Sequence, residues 1–138
     1  MELDTSSFVA DPDLVAALNT RSEPLACEQS RVLFRQGELP LGLFIIHKKG
    51  DAELTMEAAG GEVVLRVEPL GGSLLGLPGL IGGEPYTLSA TARKGAKIGF
   101  VKRIDFFDLM QAEPLLSVKI LQVLAAEVRS ARQALLQM

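Results

Sequence analysis

A chain of 138 residues with 17 acidic and 14 basic side chains, net charge -3, is sized for one compact domain and has no sequence-wide attraction to DNA or to an anionic membrane. Its single cysteine, Cys27, excludes an internal disulfide framework and a four-cysteine cluster within one chain, and suits a reducing compartment. The opening MELDTSSFVADPD lacks the parts of a signal peptide and no run reaches the ~18 apolar residues of a membrane span, so a soluble, cytoplasmic protein is expected, its 48% hydrophobic content leaving apolar surface for a partner.

The first predicted element is a short helix over residues 12–20. Asp11 can cap it, Pro12 suits its first position, and Leu14, Val15 and Leu18 are spaced to form one apolar face. Residues 31–103 then change to short apolar or alternating runs punctuated by glycine: VLFRQ, GLFIIHK, DAELTMEA, EVVLRVE, YTLSATAR and AKIGFVKR. In DAELTMEA, Ala52, Leu54, Met56 and Ala58 alternate with Asp51, Glu53, Thr55 and Glu57, the period of a half-buried antiparallel strand. Lys49-Gly50-Asp51 and Ala59-Gly60-Gly61 supply hairpin turn chemistry on either side. Strands at this spacing predict a sandwich or barrel rather than a parallel sheet.

Residues 104–138 return to helical patterning, first in IDFFDLMQ and then beyond Pro114. Leu121, Leu124, Val128, Ala131, Leu135 and Met138 repeat at alternating steps of three and four, a heptad seam. An ordinary amphipathic helix packed on its own barrel would also show an apolar stripe. The length of the seam favours a helix whose first half packs on the barrel and whose second half meets its copy across a two-fold axis, giving a homodimer.

This order of elements, together with four local matches, resembles the cyclic-nucleotide-binding sensor domain of the Crp/Fnr family of regulators. Leu33-Phe34-Arg35-Gln36-Gly37 is similar to that family's entry motif, and Leu43-Phe44-Ile45-Ile46 with Lys49-Gly50 to its following strand. Gly72 to Ala92 occupies the place of the phosphate-binding cassette, and Val101-Lys102-Arg103-Ile104-Asp105-Phe106 resembles the strand-to-helix junction. The resemblance covers about residues 12–136. It implies a single domain over 1–138, mainly β with flanking α: an antiparallel β-roll or jelly roll (double-stranded β-helix), with a short N-terminal helix and a long C-terminal dimerisation helix.

The cassette loop, residues 71–92, holds six glycines and two prolines but not one Lys or Arg, and no basic residue lies between Arg66 and Arg93. A cyclic phosphate is best held by convergent backbone N–H groups and a fixed cation. In nucleotide-binding members a Glu follows the loop's first glycine and an Arg precedes a Ser/Thr-Ala pair. Here Gly72 is followed by Ser73, and Ser89-Ala90 is preceded by Leu88. Losing charge-assisted bonds, each worth roughly 1.5–3 kcal/mol, makes cyclic AMP or cyclic GMP in the usual pose an unexpected ligand, and no other cofactor is predicted. The cassette keeps a short-helix signal, with Ser73 as candidate N-cap and Leu74, Leu75, Leu77, Leu80 and Ile81 packing it on the roll. Candidate ligand-binding residues are Gly72, Ser73, Leu74, Leu75, Leu88, Ser89 and Ala90, around a pocket more apolar than a nucleotide site. Tyr86, Thr87, Ser89 and Thr91 are hydroxyls that could orient a small ligand or be ordinary strand residues.

A metal-dependent cupin needs about three ligands; the single His47, at the end of an apolar strand, reads as a rim residue. Common nucleophile, phosphate-loop and zinc-protease motifs are missing from the sequence, so no enzyme is expected. Crp/Fnr relatives carry a helix-turn-helix domain after the long helix, where this sequence stops at Met138, so no DNA contact from this chain alone and no membrane contact are expected. The reading is a dimeric regulatory domain of the cyclic-nucleotide-binding type responding to a small-molecule effector. A true cyclic-nucleotide module using backbone N–H groups, or a purely structural dimerisation module, stands beside it.

Overall fold

The computed structural model describes residues 11–47, 52–58, 61–65 and 72–136. Helix α1, Pro12–Asn19, begins as the sequence predicts: the Asp11 carboxylate accepts from the Asp13 N–H at 2.8 Å and caps the helix. Leu14 and Leu18 form its buried face. Among the described residues eight strands follow: β1 Glu23–Ala26, β2 Arg31–Phe34, β3 Gly42–Ile46, β4 Ala52–Ala58, β5 Gly61–Leu65, β6 Ser73–Leu75, β7 Ser89–Ala92 and β8 Lys97–Lys102. Helix α2, Leu77–Gly82, lies between β6 and β7, and α3, Arg103–Ala112, and α4, Leu115–Leu136, close the chain. The turn residues Lys49, Gly50, Asp51, Ala59 and Gly60, and Gly71 and Met138, lie outside the described residues.

Among the described residues all pairings are antiparallel, in two four-stranded sheets ordered β1-β8-β3-β6 and β2-β7-β4-β5. The roll begins at Glu23, not Arg31, because EPLA pairs with β8. That strand has no inward-facing alternation to betray it: its residues are exposed or half-buried. A Lys102–Glu23 ion pair at 3.0 Å spans the same edge and holds the lysine ammonium above its usual range.

Period-two geometry divides the apolar residues between two cores. Phe44 and Ile46 of β3 face the roll interior with Phe34, Leu54, Leu75, Ala90, Ala92 and Ile98, while Leu43 and Ile45 face the helices. Cys27, free and buried, belongs to the roll interior. The second core gathers Leu14 and Leu18 of α1, Leu77 and Leu80 of α2, Phe106 and Leu109 of α3, and Leu116, Ile120 and Val123 of α4. Helix α1 is further tied to α4 by the Lys119–Asp11 pair at 2.8 Å, which lowers the carboxyl and raises the ammonium through their shared hydrogen bond.

Candidate functional site

The cassette is built around Gly76, which sits at φ +90° and turns the chain from β6 into α2. An L-residue disfavours that conformation, and a Cβ here would lie 3.0 Å from the Tyr86 ring. The N-cap of α2 is therefore Gly76, with no side-chain cap bond, rather than Ser73. Ser73 lies in β6 opposite Ile46 and is fully buried. The residue after the helix-opening glycine is Leu77, itself buried. Leu74, Leu75 and Leu80 are buried as expected, but Ile81 is exposed.

Tyr86, inconspicuous in the sequence, anchors this region. Its ring stacks on Phe34 at 4.1 Å with a 24° tilt, and its hydroxyl donates to the Gly42 carbonyl at 2.9 Å. Its backbone N–H donates to the Glu38 carbonyl at 2.9 Å and its carbonyl accepts from the Gly37 N–H at 2.8 Å. Burial pushes the phenol above its usual range, so it is a neutral donor throughout the working pH range. The signal for Phe34 is present in the L-F-x-x-G run; the alternation in YTLSATAR obscures Tyr86, which precedes β7 instead of lying in it.

Between the cassette and the roll lies a pocket of about 310 Å³. Phe34, Leu54, Leu75 and Leu88 give it apolar side-chain walls, Gly76, Pro78 and Gly79 bring in α2, and Glu84, Pro85 and Thr87 stand at its exposed rim. Of the seven candidate ligand-binding residues named from the sequence, the fold brings Leu75 and Leu88 together here. Gly72 precedes β6 and donates its N–H to Ile46, Leu74 faces the helices, and Ala90 is buried in the roll. The Ser89 hydroxyl accepts the Gln36 N–H at 2.8 Å, and Thr91 shares its outward alternation while Ala90 and Ala92 point in. Arg93, Lys94 and Lys97 are exposed around the β7–β8 turn. His47 is exposed just beyond β3.

A second cavity, about 250 Å³, lies across the Phe34–Tyr86 pair and is walled also by Phe44, Phe100 and Leu25, with Arg31 and Glu38 among its lining residues. Leu41 and Phe100 continue it into an open groove beside Ile104 and Phe107. In α4, Leu116, Ile120 and Val123 are buried and Leu124 half-buried, whereas Leu115, Val118 and Leu121 are exposed. Seam positions Val128, Ala131 and Leu135 lie in the helix, but their side chains fall outside the described residues, as does Met138. Among the described residues no three His, Cys, Asp or Glu side chains gather to hold a metal ion. No described helix is long and apolar enough to cross a membrane.

Residues 25–113 match the family model of the cyclic nucleotide-binding domain. The curated proteins offer no match. Among solved structures the chain is similar to the catabolite activator protein of Thermus thermophilus, at 25% identity and TM-score 0.75, over 91% of this chain and 58% of that one. It is also similar to the N-terminal domain of a transcriptional regulator from Streptomyces coelicolor, at 22% identity and TM-score 0.65, over 91% and 87% of the two chains. A cAMP-binding acyltransferase from Mycobacterium smegmatis is similar at 29% identity and TM-score 0.59, over 82% of this chain and 34% of that one. The chain thus spans a little over half the length of the Thermus protein and about a third of the mycobacterial one.

Proposed function

The chain belongs to the cyclic nucleotide-binding domain family, and from that premise we propose that it is a non-enzymatic, effector-sensing regulatory domain of the Crp/Fnr type whose effector is not cyclic AMP or cyclic GMP in the usual pose. The observation that carries this reading is Leu88. It precedes Ser89-Ala90, where the resemblance calls for an arginine, and it lines an apolar pocket in which no described residue is cationic. With Leu77 after the helix-opening glycine, the ribose-binding carboxylate has no counterpart in this register either.

The output is a change in a two-chain arrangement made through α4. Leu77 and Leu80 of the cassette helix share one apolar cluster with Leu116, Ile120 and Val123 of α4. An effector that moves α2 therefore acts on the packing of α4, and through the exposed side of that helix on its copy. Such coupling requires that the effector bind one arrangement more tightly than the other.

Calorimetric titration with cyclic AMP and cyclic GMP, with the dimer state followed by sedimentation, tests this reading. The expected result is a folded dimer without micromolar binding of either nucleotide. Tight binding would favour the second reading, a true cyclic-nucleotide module, which draws support from the family match and from the cAMP-binding description of the mycobacterial relative. A structural module with a filled interior is disfavoured by the 310 Å³ pocket.

A further inference from the structure

We propose that the cassette pocket takes an uncharged, apolar molecule of two or three rings and rejects anions, a charge preference opposite to that of a cyclic-phosphate site. This rests on the reading of the pocket as the effector site and names the class of effector. The volume, about 310 Å³, is at the lower end of the roughly 300–1,000 Å³ of small-molecule pockets. Phe34, Leu54, Leu75 and Leu88 offer contact to rings and alkyl groups but no hydrogen bond.

Part of the polar capacity nearby is already committed, and the charge present is of the wrong sign for an anion. Tyr86 gives its hydroxyl proton to Gly42, and the remaining hydroxyl of the lining, Thr87, stands at the exposed rim. In the short helix behind the pocket, Pro78 has no N–H, and the Leu80 N–H is bound to the Gly76 carbonyl. Beyond the helix the Glu84 N–H is bound to Gly79. An anion entering would lose its hydration with little to replace it. Among the described lining residues the one charged side chain is Glu84, a carboxylate at the mouth that repels anions at short range. The cavity across the Phe34–Tyr86 pair differs, because Arg31 and Glu38 both line it and set no preference of sign.

A matched pair of fluorescent probes tests the proposal on the full chain: neutral N-phenylnaphthylamine, and anilinonaphthalene sulfonate, which carries the same rings and an added anionic group. The neutral probe is expected to bind, and the sulfonate about tenfold or more weaker. Glu84→Gln, an exposed change, should narrow that gap, and Leu88→Trp, which fills the pocket, should abolish binding of the neutral probe. Equal affinity for the two probes overturns the charge selection while leaving the pocket as an effector site. A gap unchanged in Glu84→Gln overturns the role given to that carboxylate, and neutral-probe binding retained by folded Leu88→Trp places the site elsewhere and overturns the proposal. Binding of neither probe overturns it together with the sensing function on which it rests.

Discussion

Phe34 and Tyr86, stacked at 4.1 Å, form one wall shared by two cavities, the cassette pocket on one side and the aromatic cavity beside Phe44 and Phe100 on the other. The Tyr86 hydroxyl fixes the pair by donating to Gly42. Tyr86→Phe keeps the stack but leaves the Gly42 carbonyl without that donor, and should cost about 1 kcal/mol in denaturant unfolding. Tyr86→Ala removes the wall and should cost about 3–5 kcal/mol.

Gly76 and Gly37 have the same φ of +90°, but an added Cβ at Gly37 meets nothing within 4 Å whereas at Gly76 it meets the Tyr86 ring at 3.0 Å. Gly37→Ala should therefore show the backbone cost alone, about 1–2 kcal/mol. Gly76→Ala should cost more, the excess reporting displacement of Tyr86. Equal losses in parallel unfolding curves would show that the ring yields freely.

Ile120 and Leu121 are sequence neighbours with opposite surroundings: 3% and 63% exposed. Ile120→Ala opens the core beneath α4 and should cost about 2–5 kcal/mol. Leu121→Glu should change the stability of a single chain by no more than about 0.5 kcal/mol, yet shift the dimer proposed above to monomer in sedimentation. A Leu121→Glu protein that sediments unchanged would remove this face from the interface.

The Asp11–Lys119 pair sets a pH window. The lysine hydrogen bond lowers the Asp11 carboxyl from 3.8, so its contribution is present above the unfolded value and is lost as pH falls through the folded one. The Lys119 ammonium is raised by the same bond, so its contribution holds below about pH 10 and fades as pH rises through the higher folded value. Asp11→Asn keeps a good helix cap and removes the charge. Its melting temperature should fall slightly below that of the unmodified chain at pH 7 and low salt, and the two should converge as pH falls through the lowered Asp11 value and in high salt.

Local chemistry made part of this molecule legible. Asp11-Pro12 names the start of α1, and the alternation in Ala52–Ala58 names a strand, because capping and period two act over a few residues. The two-sheet antiparallel fold followed from the order of such signals. What stayed hidden depends on distant partners. β1 exists through its pairing with β8, and β6 is three buried residues with no visible face to alternate. At the candidate site, two of the seven residues named from the loop, Leu75 and Leu88, line the pocket. The register was not legible, because the loop's glycines look alike in sequence and Gly72, Gly76 and Gly83 are all left-handed; Gly76 is set apart by its place as the N-cap of α2.

Strand β3 belongs to both cores, with Phe44 and Ile46 turned into the roll and Leu43 and Ile45 turned toward the helices. The domain therefore has two layers that can loosen separately. Amide exchange in α1 and α4 could proceed through detachment of the helical layer while the paired strands stay closed. Trimming Ile45 would speed exchange in the helices first, and trimming Ile46 would speed it in the sheets. One five-residue strand is thus the shared floor of both layers, and the order of exchange would report which of its faces yields first.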